Sequence, residues 1–429
     1  MSSVSEEVSD GVPGAESALA APLPGALPEA LRAELVAFRR DLHMHPELGH
    51  QEFRTTAALK ARLEEAGLEP RVLATGTGLI CDIGVPPAAD RAGDRAGAGR
   101  STVPRPMLAL RADIDALPIP DTKLGVPYRS TVPDRAHACG HDVHTTVVLG
   151  AGLVLAELAK KGQLPFPVRL IFQPAEEVLP GGATDAIESG ALEGVGRIIA
   201  VHCDPRVDAG RIGLRHGPIT SACDRLEVSL DGPGGHTARP HLTTDLVIAA
   251  AKVATEVPAL VSRRADARSG LVVTWGRIET GHAPNVIPQH AELSGTVRCL
   301  DLRAWRDAPD LVHGAVQEVA DLYRAKSEIN YIRGVPPVVN DATISDLLRD
   351  AMIERRGLHS VEDTEQSLGG EDFSWYLEHV PGAMARLGVR HPGERAARDL
   401  HQGDFDVDET AITAGVELFT AAALLDAMR

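Results

Sequence analysis

Val168-Arg-Leu-Ile-Phe172 is a short, mostly apolar run that passes directly into Gln173-Pro-Ala-Glu-Glu177. A run of this length, closed by a proline, reads as a strand buried on both faces. Two other stretches repeat the pattern. Met107-Leu-Ala-Leu110 runs into Arg111-Ala-Asp-Ile-Asp115, and Arg197-Ile-Ile-Ala-Val201 is followed at once by His202. Between the first two, Asp142 to Lys161 reads as a strongly apolar helix stopped by Gly162. Strand and helix alternate, and each strand delivers acidic or imidazole groups at its C-terminal end. In an open, mostly parallel α/β sheet that edge is where ligands bind.

Upstream, residues 1–24 are rich in Ser, Glu, Gly, Ala and Pro and read as a disordered tail. Pro28 opens a helix with Leu31, Leu35, Phe38 and Leu42 on one face, ending near His43-Met-His-Pro46. His43 and His45 sit beside the helix-stopping proline, which favours surface or supporting roles over ligation. A second helix is expected over about Gln51 to Ala66. Residues 85–106 are rich in Pro, Ala, Gly and Arg, lack apolar periodicity and read as a surface loop.

After Ser221 the pattern changes. Arg225–Leu230, Leu271–Gly276, Ala291–Cys299 and Ile329–Ile332 read as strands, with helices over Leu242–Val261 and Ala304–Tyr323. That order is βαββαβ, a ferredoxin-like unit. The chain then resumes with a helix over Ile344–Arg356, the Gly369-Gly-Glu-Asp372 turn, a strand over Ala383–Leu387 and a terminal helix from Glu409. The expected organisation is a large α/β catalytic domain (25–221 and 337–429) interrupted by a small lid domain (222–336).

At 429 residues the chain is too long for one ordinary core. A net charge of −17 argues against nucleic acid or an anionic membrane as partner. No run approaches the roughly 20 apolar residues of a membrane span. The first 31 residues carry no Lys or Arg and no long apolar segment, unlike a secretory signal. Five scattered cysteines form no disulfide-like framework and suit a reducing compartment, so a cytoplasmic location is expected.

The densest chemistry lies in His137-Ala-Cys-Gly-His-Asp-Val-His144. Cys139 and His141 flank a glycine in a turn and can address one ion. A thiolate with imidazoles favours zinc or the manganese-to-nickel series over calcium or magnesium. Glu176-Glu177 follows a buried strand, where Pro174 supplies the bend that lets adjacent carboxylates serve one site. One of them can bind a metal while the other takes a proton from water, whose pKa a cation lowers to about 7. Alone, the pair could equally be an exposed acidic turn. His202 alone reads as a satisfied core histidine, and His401, in Asp399-Leu-His-Gln-Gly-Asp404, is unremarkable by itself. Together Cys139, His141, Glu177, His202 and His401 make five donors, more than one tetrahedral ion needs. Two ions roughly 3.5–4 Å apart and sharing a ligand would use them all. In the small domain, Gly232-Pro-Gly-Gly-His-Thr-Ala-Arg-Pro-His241 presents His236 either as a plain loop residue or as a donor to a developing oxyanion. Asn285, in Gly281-His-Ala-Pro-Asn-Val-Ile-Pro288, could offer its amide to substrate.

At this point the chain resembles the aminoacylase/carboxypeptidase-type dinuclear metallohydrolases. Within them it resembles most the branch of N-acyl-amino-acid amidohydrolases, hippurate hydrolases and auxin-conjugate hydrolases. The matching stretches run in family order: Asp41-Leu-His-Met-His-Pro-Glu-Leu48, Leu110-Arg-Ala-Asp-Ile-Asp-Ala-Leu-Pro118, His137–His144, Gln173–Glu177, Gly234-Gly-His236 with Pro240-His241, Asn285-Val-Ile-Pro288, Gly370-Glu-Asp-Phe373 and Leu400-His401. The chain departs at Thr237, at Gly281-His282 and in the 85–106 loop. The resemblance implies Cys139, His141, Glu177, His202 and His401 as ligands of two divalent ions (manganese or zinc, with cobalt or nickel also accepted). It implies Glu176 as general base and Asp113 as a residue orienting a ligand. It further implies that His236, from the lid of a partner subunit, stabilises the tetrahedral intermediate, so that a homodimer joined through the lids is required. The expected activity is hydrolysis of the amide bond of N-acyl amino acids. A dipeptidase or carboxypeptidase on the same scaffold, or a non-catalytic metal-binding relative, are the competing expectations.

Overall fold

The computed structural model describes residues 25–85, 106–394 and 398–426. The tail and nearly all of the 85–106 loop read above lie outside them. An eight-stranded sheet forms the larger unit, in the order Arg71–Val72, Leu79–Ile83, Val168–Gln173, Met107–Asp113, Val195–Asp208, Gly382–Arg390, Ile212–Leu214, Val361–Asp363. The central ladders are parallel: Met107–Asp113 pairs that way with Val168–Gln173 and Val195–Asp208, and Val195–Asp208 with Gly382–Arg390. Antiparallel pairing is confined to the flanks. Every residue of Met107–Asp113 and of Val168–Gln173 is buried, as expected of strands covered on both faces.

Their side chains divide with the two-residue period of a strand. Leu108, Leu110 and Ala112 join a core shared with the helices His141–Lys160, Ala342–Arg356 and Thr410–Leu425. Met107 and Ala109 join a second core under Ala183–Glu188 and Phe373 on the opposite face. His141–Lys160 is long and apolar enough to cross a membrane, but 83% of its apolar window is buried inside the protein. It is a core helix. It crosses Thr410–Leu425 closely enough that a Cβ on Gly415 would stand 2.6 Å from Val147 Cγ2, so the crossing requires a residue without a side chain.

The smaller unit is a four-stranded antiparallel sheet in the order Val272–Thr280, His290–Cys299, Ala222–Asp231, Lys326–Val335, packed against helices Leu246–Arg264 and Leu302–Leu322. Read across the sheet, the strands are the second, third, first and fourth of the unit in chain order, as ferredoxin-like topology demands. Most expected bounds shift by a few residues, and two of the shifts bear on the site. The helix expected from Leu242 begins at Leu246, because Pro240–Leu242 forms a separate single turn and Asp245 caps the helix by accepting from the Ile248 N–H. The strand expected to end at Val201 continues to Asp208, so His202 lies within a strand rather than past its end.

Candidate metal centre

The turn Ala138-Cys-Gly140 delivers Cys139 immediately before His141, the first residue of the long core helix. Gly140 has φ +87°, and a Cβ there would stand 2.7 Å from Cys203 Sγ, so this turn admits glycine alone. Glu176 and Glu177 follow Pro174 and Ala175. Ala175 takes φ +56° and donates its N–H to Glu52 at 2.8 Å, which bends the chain at the strand end. His401, at φ +62°, donates its backbone N–H to Ala138 O at 2.8 Å, tying the last segment of the chain to the cysteine turn. His202 reaches the same place from mid-strand.

Four segments distant in sequence therefore converge. Cys139, His141 and His202 form one set of donors, and Cys139, Glu177 and His401 another; within each set the donor atoms lie within 4.8 Å of one another. Cys139 belongs to both. His202 Nε2 stands 3.6 Å and His401 Nε2 3.3 Å from its sulfur. Glu176 joins His141 and Glu177 in a third set.

The chemistry of these atoms fits cations. His141 hydrogen-bonds Asp115 through Nδ1 at 3.1 Å, leaving Nε2 buried and without a hydrogen-bond partner, and Glu177 Oε1, although 3.3 Å from His401 Nε2, forms no hydrogen bond either. Buried polar atoms are normally satisfied, and both of these face the donor cluster. Charge agrees. Burial works against an imidazolium at His141, yet the carboxylates of Asp113 and Asp115 outweigh it and lift the ring to about 10. An acidic surround that would hold a proton there would hold a metal cation in its place. Burial, then the neighbouring Glu177 and Glu176, push the Cys139 thiol well up, and burial with Arg386 and His144 nearby pushes His202 well down. Burial, Glu371 and Glu177 raise Glu176 well above the usual carboxyl range.

Most of the other histidines of the region are otherwise engaged. His144 bonds Asp113 through Nδ1 at 2.6 Å and accepts the Cys203 N–H through Nε2 at 2.8 Å, so neither nitrogen is free for an ion. His43 is fully buried against Asp142 at 2.7 Å, and His45 bonds the Asp41 carbonyl at 2.8 Å. Burial holds His137 down to about 3; both its ring nitrogens are buried without a hydrogen-bond partner, but it belongs to none of the donor sets found among the described residues. Asp113 itself stands 3.9 Å from His141 Nδ1; its short contacts are with His144 and, at 2.8 Å, Arg111.

Residues that sequence reasoning passed over complete the site. Asp115 bridges His141 and the Glu177 N–H, the latter at 2.9 Å, so it orients two donors at once. Glu371 and Asp372 come within 4.8 Å of Glu176. The fully buried Arg111 binds Asp113, Glu371 and Asp372 at 2.8, 3.1 and 2.7 Å. Asp115 and Arg111 belong to the Arg111–Asp115 strand end, and Glu371 and Asp372 to the Gly369–Asp372 turn. Arg386 also went unremarked, although a lone arginine between Ala385 and Leu387 in an apolar strand was the available signal.

A cavity of about 330 Å³ opens over the donors. Glu176, His202 and His401 line it from the large unit, and Cys223, Arg298 and Val335 from the small one. His236 and Asn285 do not line it. Both are exposed at a two-stranded ladder of the small unit, in which Val286 pairs with His236 and the Thr237 N–H donates to the Asn285 carbonyl.

Comparison with known proteins accords with this arrangement. The description peptidase family M20/M25/M40 matches residues 109–425. A Rhodococcus jostii protein named for a glutamate–cysteine ligase is 45% identical over 393 residues, 92% of this chain and 47% of that protein; the chain spans about half of that relative's length. The N-acetyl-L-cysteine deacetylase of Bacillus subtilis is 38% identical over 382 residues, covering 89% of this chain and 85% of the deacetylase. Among solved structures, the YXEP protein of Bacillus subtilis, described as a dinuclear metal-binding peptidase from the M20 family, aligns with a TM-score of 0.77 at 32% identity, covering 93% of this chain and 99% of that one. The chain belongs to peptidase family M20/M25/M40, and within it is a metal-dependent amidohydrolase.

Proposed function

We propose that the protein hydrolyses the amide bond between an acyl group and the nitrogen of an amino acid, with Glu176 as general base. The observation that carries the reading is the position of Glu176: it stands beside two donor sets that share Cys139, at the floor of a cavity of about 330 Å³. In this reading Cys139, His141, Glu177, His202 and His401 hold two divalent cations, manganese or zinc, with cobalt or nickel compatible with the same donors. Such ions would polarise the scissile carbonyl and lower the pKa of a water toward about 7. Glu176 takes the proton of the attacking water and passes it to the leaving nitrogen. Asp115 keeps His141 and Glu177 in place while Asp113, through His144, braces the wall behind them.

His236 and Asn285 enter as residues supplied by the lid of a second copy, His236 donating to the oxyanion and Asn285 to substrate. Their exposure on the small unit, away from their own cavity, supports this. We accordingly assign residues 25–221 and 337–429 to a catalytic domain and 222–336 to a lid through which a homodimer forms. Five free cysteines suit the cytoplasm.

The test is a substrate panel. Protein treated with chelator should lose all hydrolysis of N-acyl amino acids and regain it with manganese or zinc, while dipeptides are cleaved poorly. Preference for dipeptides would move the reading to a dipeptidase or carboxypeptidase, and no metal-dependent hydrolysis of either would refute it. The shared site has its own test. Glu176→Gln and His236→Ala homodimers should each be inactive, yet co-expression should restore about a quarter of wild-type activity, because half the dimers are mixed and each holds one intact site. No recovery in purified mixed dimers would make His236 act on its own subunit, and an active His236→Ala homodimer would place it outside the site.

A further inference from the structure

We propose that the Arg386 guanidinium, buried and unpartnered at the cavity wall, binds the free carboxylate of the substrate's amino-acid part, a specificity contact that rests on the amidohydrolase reading above. Arg386 sits midway along Gly382–Arg390, directly opposite His202 in the parallel ladder with Val195–Asp208. Directly paired residues of neighbouring strands project to the same face, so the arginine points to the side on which His202 meets the metal donors. It lines the cavity with His202, His401 and Glu176. It is 5% exposed, and its Nε has no hydrogen-bond partner.

Of the nearby acids, Asp204 is committed elsewhere and Glu371 is committed through Oε1, while its Oε2 forms no hydrogen bond. The Asp204 oxygens take the Arg206 N–H groups at 2.8 and 3.0 Å, and Glu371 Oε1 takes Arg111 at 3.1 Å and the Phe373 N–H at 3.0 Å. Among the described residues no carboxylate forms an ion pair with Arg386. A buried charge is normally paired, and leaving it unpaired is costly. The planar fork of a guanidinium matches a carboxylate in bidentate fashion, which makes an arriving carboxylate the fitting partner. An N-acyl amino acid carries one a few bonds from its scissile carbonyl, and Arg386 lines the same cavity as the donors Cys139, Glu177, His202 and His401. Charge on the opposite wall agrees: Arg298, from the small unit, lines the same cavity.

The experiment compares an N-acetyl amino acid with its carboxamide, on metal-loaded wild-type protein and on Arg386→Met. The variant should raise KM for the free acid by roughly 10²-fold, leave kcat within a few-fold, and leave the carboxamide nearly unchanged. Arg386→Lys should keep part of the preference for the acid, and Arg386→Gln serves in place of Met should that variant not fold. Binding of both compounds to the Glu176→Gln protein, by calorimetry, separates the two readings. Arg386-dependent preference for the acid without wild-type hydrolysis would refute the amidohydrolase assignment and uphold the carboxylate contact. Equal losses on acid and carboxamide, or an acid preference that survives Arg386→Met, would overturn the contact.

Discussion

Glu176→Gln is expected to lower kcat by roughly 10²–10⁴-fold while the protein still binds two divalent ions. The substitution keeps shape and removes the group that can accept a proton. Its neighbours Glu371 and Asp372 lie within 4.8 Å, but each is ion-paired with Arg111, which disfavours proton uptake by either. Folding should not suffer. Burial and the negative charge of Glu371 and Glu177 disfavour an ionised Glu176, and a neutral amide relieves that repulsion. Metal content by elemental analysis, unfolding midpoint and kcat together decide the matter. Wild-type turnover would remove Glu176 as base, and loss of metal together with turnover would make it a ligand.

The second large effect concerns stability. Arg111→Met should cost about 3–5 kcal/mol, because it leaves buried carboxylates without their counter-charge. Arg111 is fully buried and its head group is fully used: Nε donates to Gln173 at 2.9 Å, and the remaining nitrogens serve Asp113, Glu371 and Asp372. The sign is settled by the asymmetry between breaking a buried network and never having built it. Adding Asp372→Asn to Arg111→Met should recover part of the loss by neutralising one stranded charge. Denaturant unfolding measures both, and a midpoint equal to wild type for Arg111→Met would show that the network contributes nothing net.

Much of this was legible before any coordinates. Three apolar runs ending in Asp113, in the Glu176-Glu177 pair and at His202 pointed to one edge of a parallel sheet, because buried parallel strands leave a plain sequence signal. The βαββαβ order of residues 222–336 was equally plain. His401 was not. Its loop has no periodicity, and what places it is a backbone bond to Ala138 and a positive φ, neither of which residue type reveals. Asp115 carries no local signal of its role, since period-two alternation cannot tell which of two nearby acids will reach a histidine. Asp113 was expected to orient a ligand, and in the fold its short bond is to His144. Arg386 escaped notice because its meaning lies in the partner it lacks, and only the packed structure can display that.

The ladder between Val195–Asp208 and Gly382–Arg390 has a consequence for how the chain comes off the ribosome. The inner strand is made long before its neighbour, and the whole small unit is synthesised between them. Contacts inside that unit join residues much nearer in sequence, so it can assemble early, while the larger sheet waits with an apolar edge uncovered. An open edge of that kind invites pairing with other chains. The last strand and the terminal helix therefore do more than complete the architecture: their arrival ends the interval in which the newborn protein is most prone to aggregate, and the same arrival brings His401 to the cysteine turn. A chain truncated before residue 382 would be both inactive and sticky, for one and the same reason.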